Sequence, residues 1–81
     1  MKLPVQFFSR LREVVGQPAI EVELPAGATV ADLLAQLYRQ IPALKTWDGS
    51  LLIGAGVEFV HRDYVLQPGD DIALMPPVQG G

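Results

Sequence analysis

The sequence predicts an α+β domain: a mixed sheet of four to five strands with one main helix packed on one face. Three observations lead there. Apolar residues alternate near both ends of the chain, at Leu3, Val5 and Phe7 and again at Ile72 and Leu74. One segment, beginning at Val30, repeats its apolar residues at helical spacing over three turns. Glycine, proline and aspartate signals cut the rest into short strands, so the helix has a sheet to cover.

The first strand covers about Lys2 to Phe8, with Phe8 offering a second apolar face. Ser9 is placed to cap a short helix in which Leu11, Val14 and Val15 share a side, and Gly16 is placed as its C′ residue. Arg10, Arg12 and Glu13 fall on the outer side of that helix. Ile20, Val22 and Leu24 alternate with Glu21 and Glu23 as a half-buried second strand, which accounts for both glutamates without acid–base chemistry. After the turn at 25–28, Thr29 and Asp32 approximate a capping box, although Asp is shorter than the usual Glu or Gln. Val30, Leu33, Leu34, Leu37 and Tyr38 then form a single apolar stripe, and Pro42 ends the helix near Ile41.

Residues 43–50 read as a connector with a turn at Asp48-Gly49, in which Trp47 is the one large residue needing burial or a partner. Leu51 to Ile53 form the third strand, and Gly54-Ala55-Gly56 reads as a bend or hairpin turn. No helix start and no Lys-Ser/Thr follows, so these glycines do not make a phosphate loop. Val57 to Val60 return as a short strand. Pro68-Gly69 fits the centre of a type II turn before the last strand, Ile72 to Met75. A β-grasp sheet, with the first and last strands parallel in its middle, satisfies this order.

Composition narrows the chemistry. The chain has 81 residues, 49% apolar and 19% charged, enough for one small core. No run approaches the roughly 20 apolar residues of a membrane span, and the start of the chain does not read as a secretory signal; a cytoplasmic protein is expected. A net charge of −3 with six Lys and Arg leaves no basic stripe, so nucleic acid is not an expected partner. Without cysteine, and with His61 as the single histidine, no metal site and no thiolate chemistry are expected. Any sulfur chemistry must use the carboxyl terminus.

That terminus is the most informative stretch. Pro76-Pro77 cannot donate to a ladder, so the sheet stops there and residues 76–81 leave the 1–75 domain as a stiff, extended tail. Val78 and Gln79 lead to Gly80 and Gly81, which have no side chain and can pass through a narrow channel. The four residues after Pro77 reach on the order of 13 Å when extended.

Taken together, Phe7-Phe8-Ser9-Arg10-Leu11-Arg12-Glu13, the run from Leu24 to Leu34, the run from Leu66 to Leu74 and the ending Met75-Pro76-Pro77-Val78-Gln79-Gly80-Gly81 resemble the sulfur-carrier small subunits of molybdopterin synthase. These are ubiquitin-like β-grasp proteins, and the resemblance runs nearly end to end. One departure is Gly56, where the family often has asparagine. The resemblance implies that Gly81 carries the chemistry: an activating enzyme adenylates it with ATP, a sulfur donor protein converts it to a thiocarboxylate, and the sulfur passes to a cyclic pyranopterin phosphate in the large subunit. It further implies that the chain binds no cofactor itself and acts as a tethered cosubstrate, the acid–base groups lying in the partner. Met75, Pro76, Pro77, Val78, Gln79 and Gly80 are then the residues that engage partners. If Ile72 and Leu74 face the helix, Ala73 and Met75 face the other side of the sheet, where Phe8 and Phe59 are placed to complete an apolar docking surface. Three alternatives stay open on sequence: a thiamin-pathway sulfur carrier, a ubiquitin-like modifier joined to lysine, and an interaction module with an inert tail.

Overall fold

The computed structural model describes residues 1–77. Their elements run β1 (Lys2–Phe7), α1 (Arg10–Val15), β2 (Ala19–Glu23), α2 (Val30–Gln40), a 3-10 run (Pro42–Ser50), β3 (Leu52–Ala55), β4 (Glu58–Phe59) and β5 (Ile72–Met75). The five strands form one sheet in the order β2-β1-β5-β3-β4. β1 and β5 are the parallel pair, with Phe7 opposite Leu74, and every other pairing is antiparallel. The expected β-grasp arrangement is therefore present, with β5 paired along both edges.

Strand parity decides the core. Leu3, Val5 and Phe7 of β1, Val22 of β2 and Ile72 and Leu74 of β5 are buried together with Val30, Leu33, Leu34 and Leu37 of α2. The apolar stripe read from the sequence is thus the face that α2 lays on the sheet. Its first turn is closed by a complete capping box: Asp32 N–H donates to Thr29 Oγ1 (3.3 Å) and Thr29 N–H donates to Asp32 Oδ2 (2.9 Å). The shorter Asp suffices. Two further N–H groups at this helix end, those of Val30 and Ala31, donate to the carbonyls of Tyr64 (3.0 Å) and Arg62 (2.9 Å), so the 61–66 loop satisfies donors that a helix leaves free.

Three readings are corrected and others are borne out. Ser9 precedes α1 but does not cap it through its side chain, because its backbone sits at φ 53, ψ −130, outside the extended conformation an N-cap needs. Leu11, Val14 and Val15 of α1 do share the side turned to the core, Leu11 fully buried and the two valines half-buried against it. The 43–50 connector is a 3-10 run rather than a loop with an Asp-Gly turn; buried Leu44 anchors it and Gly49 has no positive φ. Gly54 and Ala55 belong to β3, pairing with Ala73 and Ile72 of β5, and the turn is confined to the next two residues. Gly56 there has φ 63, the left-handed conformation that glycine and asparagine tolerate best. Gly69 at φ 87, with Asp70 N–H donating to Gln67 O (3.1 Å), makes the expected type II turn.

The 3-10 run is tied to its surroundings at Asp48. Tyr38 Oη donates to Asp48 Oδ1 (2.6 Å), and Arg62 Nη1 donates to the same oxygen (2.7 Å). The Arg62 and Tyr38 hydrogen bonds hold the Asp48 carboxyl below its ordinary range. Burial, then the hydrogen bond to Asp48, pushes the Tyr38 phenol up to about 12. The folded state therefore binds the Tyr38 proton more tightly than the unfolded chain does, so this contribution is complete below pH 10.0 and is lost as pH rises through about 12. Tyr38→Phe is expected to flatten the fall of stability across that window in urea unfolding curves. The remaining slope should include Tyr64, whose hydrogen bond to Asp70 also raises its phenol pKa. A wild-type-like slope in Tyr38→Phe would refute the assignment.

Candidate functional site: the outer sheet face and the root of the tail

The face of the sheet opposite α2 carries the residues that alternate with the core ones along each strand. Its rows follow from register. Phe59, Gly54, Ala73 and Gln6 lie side by side across β4, β3, β5 and β1, and the next row brings Leu52 beside Met75. Phe8 extends that second row, because its N–H donates to Leu74 O (3.1 Å) just past the end of β1. Small residues thus make a floor and large ones a rim.

The result is a shallow hollow of about 260 Å³ lined by Phe8, Gly54, Gly56, Val57, Glu58, Phe59, Ala73 and Met75. Phe59 is 70% exposed and Val57 wholly so, although both are large and apolar. Such a patch, rimmed by Glu58 and by Gln6 bonded to Asp71, has the anatomy of a protein-binding surface. Gly54 sets its depth: a Cβ there would meet Met75 Cε at 3.4 Å and Ala73 Cβ at 3.8 Å. Arg12 fixes the opposite rim, with Nε donating to Phe7 O (2.9 Å) and the guanidinium lying 5.7 Å from the centre of the Phe8 ring.

Phe8, Phe59, Ala73 and Met75, expected as a docking surface, are brought together here. Gly54 and Val57 are additions that the sequence reading missed. The signal for Gly54 was available, since it continues the period-two parity of Leu52. Arg12, expected as a solvated outer charge, is bent back onto Phe8 by its bond to the Phe7 carbonyl.

The ladder stops at Met75, as two prolines require. Pro76 and Pro77 are half-buried and line a cleft of about 420 Å³ with Ser9, Arg10 and Trp47. Val78, Gln79, Gly80 and Gly81 lie outside the described residues. A larger concavity, about 680 Å³ along 51–53 and 59–63, shares only Phe59 with the apolar hollow and is lined by neither Pro76 nor Pro77. No cluster of three metal-ligating side chains occurs among the described residues. None of their helices is long and apolar enough to cross a membrane.

Chemically, the arrangement presents an apolar face next to an emerging strand end. Among the described residues that line it, no two acid–base groups converge. What it can do is offer an apolar face to a partner beside the point where the ladder ends at Met75.

Known proteins are similar to this chain in sequence and fold. A model of the ThiS family matches residues 5–81. The chain is 38% identical to the molybdopterin synthase sulfur carrier subunit of Escherichia coli over 82 aligned positions, covering 98% of this chain and 99% of that one. The crystal structure of SAMP1 from Haloferax volcanii superposes with a TM-score of 0.87 at 30% identity, covering both chains fully. A chain of the complex of subunits 1 and 2 of molybdopterin-converting factor from Helicobacter pylori superposes with a TM-score of 0.73 at 26% identity, again over the whole of both chains.

Proposed function

From the premise that this chain belongs to the ThiS family, whose model matches residues 5–81, we propose that it is the sulfur-carrier subunit of a molybdopterin synthase. The near-full-length match to the E. coli subunit carries the reading to this pathway, and the strand-to-tail geometry makes it workable. In this function Gly81 is the reacting residue. Its carboxylate, ionised at neutral pH, is a poor electrophile until one oxygen becomes part of a leaving group. An activating enzyme supplies that by adenylation with ATP. Sulfide from a donor protein displaces AMP and leaves a thiocarboxylate; its sulfur is then transferred to a cyclic pyranopterin phosphate in the large subunit, the Gly81 C–S bond breaking and water restoring the carboxylate. Because ATP is consumed, the reading places the protein in the cytoplasm.

The chain's own part is positional. The domain of residues 1–75 docks, and the 76–81 tail delivers the sulfur at high local concentration to acid–base groups held by the partner. The apolar hollow supplies the docking face. The H. pylori neighbour, a complex of two subunits, supports a large subunit as the partner. Phe59→Asp is expected to weaken binding of the large subunit by on the order of 10–100-fold, as loss of a central aromatic anchor does. Titration calorimetry would read this, with melting temperature as the control; an unchanged Kd would remove the hollow from the interface.

The test of the function is intact mass after incubation with ATP, a sulfur source and a molybdopterin-pathway activating enzyme. A gain matching one oxygen replaced by sulfur, located at Gly81, is expected. The likeness to SAMP1, a small archaeal modifier protein, favours one second reading, in which the same adenylate ends as an isopeptide bond to lysine. Covalent adducts of the chain in cell extract, in place of a thiocarboxylate, would establish that alternative.

A further inference from the structure

The cleft at the root of the tail is assembled by topology. Ser9 is seated beside the end of β5 by the Phe8 N–H bond to Leu74 O, and Trp47 arrives from the 3-10 run. Ser9 is the one described non-glycine residue at positive φ, a conformation that persists only where its surroundings impose it. Trp47 is half-buried against the core, and the next residue, Asp48, is gripped by both Tyr38 and Arg62. Pro76 and Pro77 therefore share one cleft with Trp47 and Ser9, and each of these two adjoins a residue held in place by hydrogen bonds.

We propose that Trp47 is a positioning residue for the tail: its indole is a wall of the cleft beside which Pro76-Pro77 leave the sheet, and so limits the directions in which the chain can be presented to a partner. The inference rests on the sulfur-carrier reading and adds to it a residue outside both the tail and the docking hollow. Two prolines make the stem a short rod, since each fixes its own φ. A rod beside a wall has fewer exit directions than a free one. Each direction excluded in the free protein is one that the activating enzyme need not exclude on binding, so the wall lowers KM and leaves the chemical step alone.

The experiment is steady-state thiocarboxylate formation on the full chain, comparing wild type, Trp47→Ala, Trp47→Phe, Pro77→Gly and the Trp47→Ala/Pro77→Gly double variant, with thermal melts beside each. Trp47→Ala is expected to raise KM about tenfold with kcat near wild type, corresponding to a tenth of free molecules presenting the tail correctly. Trp47→Phe, which keeps a flat ring, restores KM. The double variant shows no rise beyond Pro77→Gly, because a stem that bends freely leaves the wall nothing to guide. An unchanged KM in a Trp47→Ala chain that melts cooperatively overturns the assignment. So do effects that multiply in the double variant, which would make Trp47 a direct contact of the enzyme. If Trp47→Ala does not fold, Trp47→Leu decides by the same KM comparison. The wild type separates the two levels: if it gains no sulfur, the carrier reading falls and the assignment with it, whereas a normal wild type beside an unaffected Trp47→Ala removes the assignment alone.

Discussion

Deleting Gly81, or adding one residue after it, is expected to abolish thiocarboxylate formation and leave folding unchanged. Either change shifts the reacting carbonyl along the tail by roughly 3.3–3.6 Å. Misplacement of about 1 Å already costs on the order of 10²-fold in a positioned reaction, so the full shift should leave no detectable product. Stability should move by less than about 0.5 kcal/mol, because the buried cluster among the described residues ends at Leu74. Mass spectrometry of the treated chain and a thermal melt read the two halves. Product from the Gly81-deleted chain at the wild-type rate would end the carrier reading. A large fall in melting temperature would show that the tail belongs to the fold. Gly80→Trp adds a second probe: if the partner's path is narrow, it blocks adenylation with the melt unchanged.

The largest stability effect is expected at Leu74→Ala. Leu74 is fully buried, lies in the central strand, and stands opposite Phe7 on one side and Ile53 on the other. Removing its side chain takes away buried apolar surface and leaves a void between sheet and α2, at a cost of about 2–5 kcal/mol. A domain of this size has only about 5–10 kcal/mol to lose. Melting temperature should fall by more than about 10 °C. Met75→Ala, one residue on but on the outer face, should cost under about 1 kcal/mol and act on docking instead. Urea unfolding of both variants tests the parity directly: equal losses would mean that the last strand does not present alternate faces.

That parity was legible in the sequence. Alternation at Leu3, Val5 and Phe7 and at Ile72 and Leu74 placed the core face, and by the same rule put Ala73 and Met75 on the outer one. The α2 stripe, the stop at Pro76 and the Pro68-Gly69 turn were equally local. Each depends on a few consecutive residues whose backbone preferences or periodicity outweigh their surroundings. The short 3-10 run was misread for the converse reason: Asp48-Gly49 has turn chemistry, and only the burial of Leu44 and the grip of Tyr38 and Arg62 on Asp48 override it.

What the sequence by itself determined, then, is the core faces of β1, β2, β5 and α2 and the stops at Pro42 and Pro76, together with the Gly-Gly tail whose chemistry the family resemblance implies. Tertiary structure alone decided which distant residues meet. The hollow joins Phe8, Gly54, Val57, Phe59, Ala73 and Met75 through the register of β5 between β1 and β3, and the tail root joins Ser9, Trp47 and Pro77. Register is a pairing between segments far apart in the chain, set by the burial of whole faces at once, and no window of consecutive residues contains it.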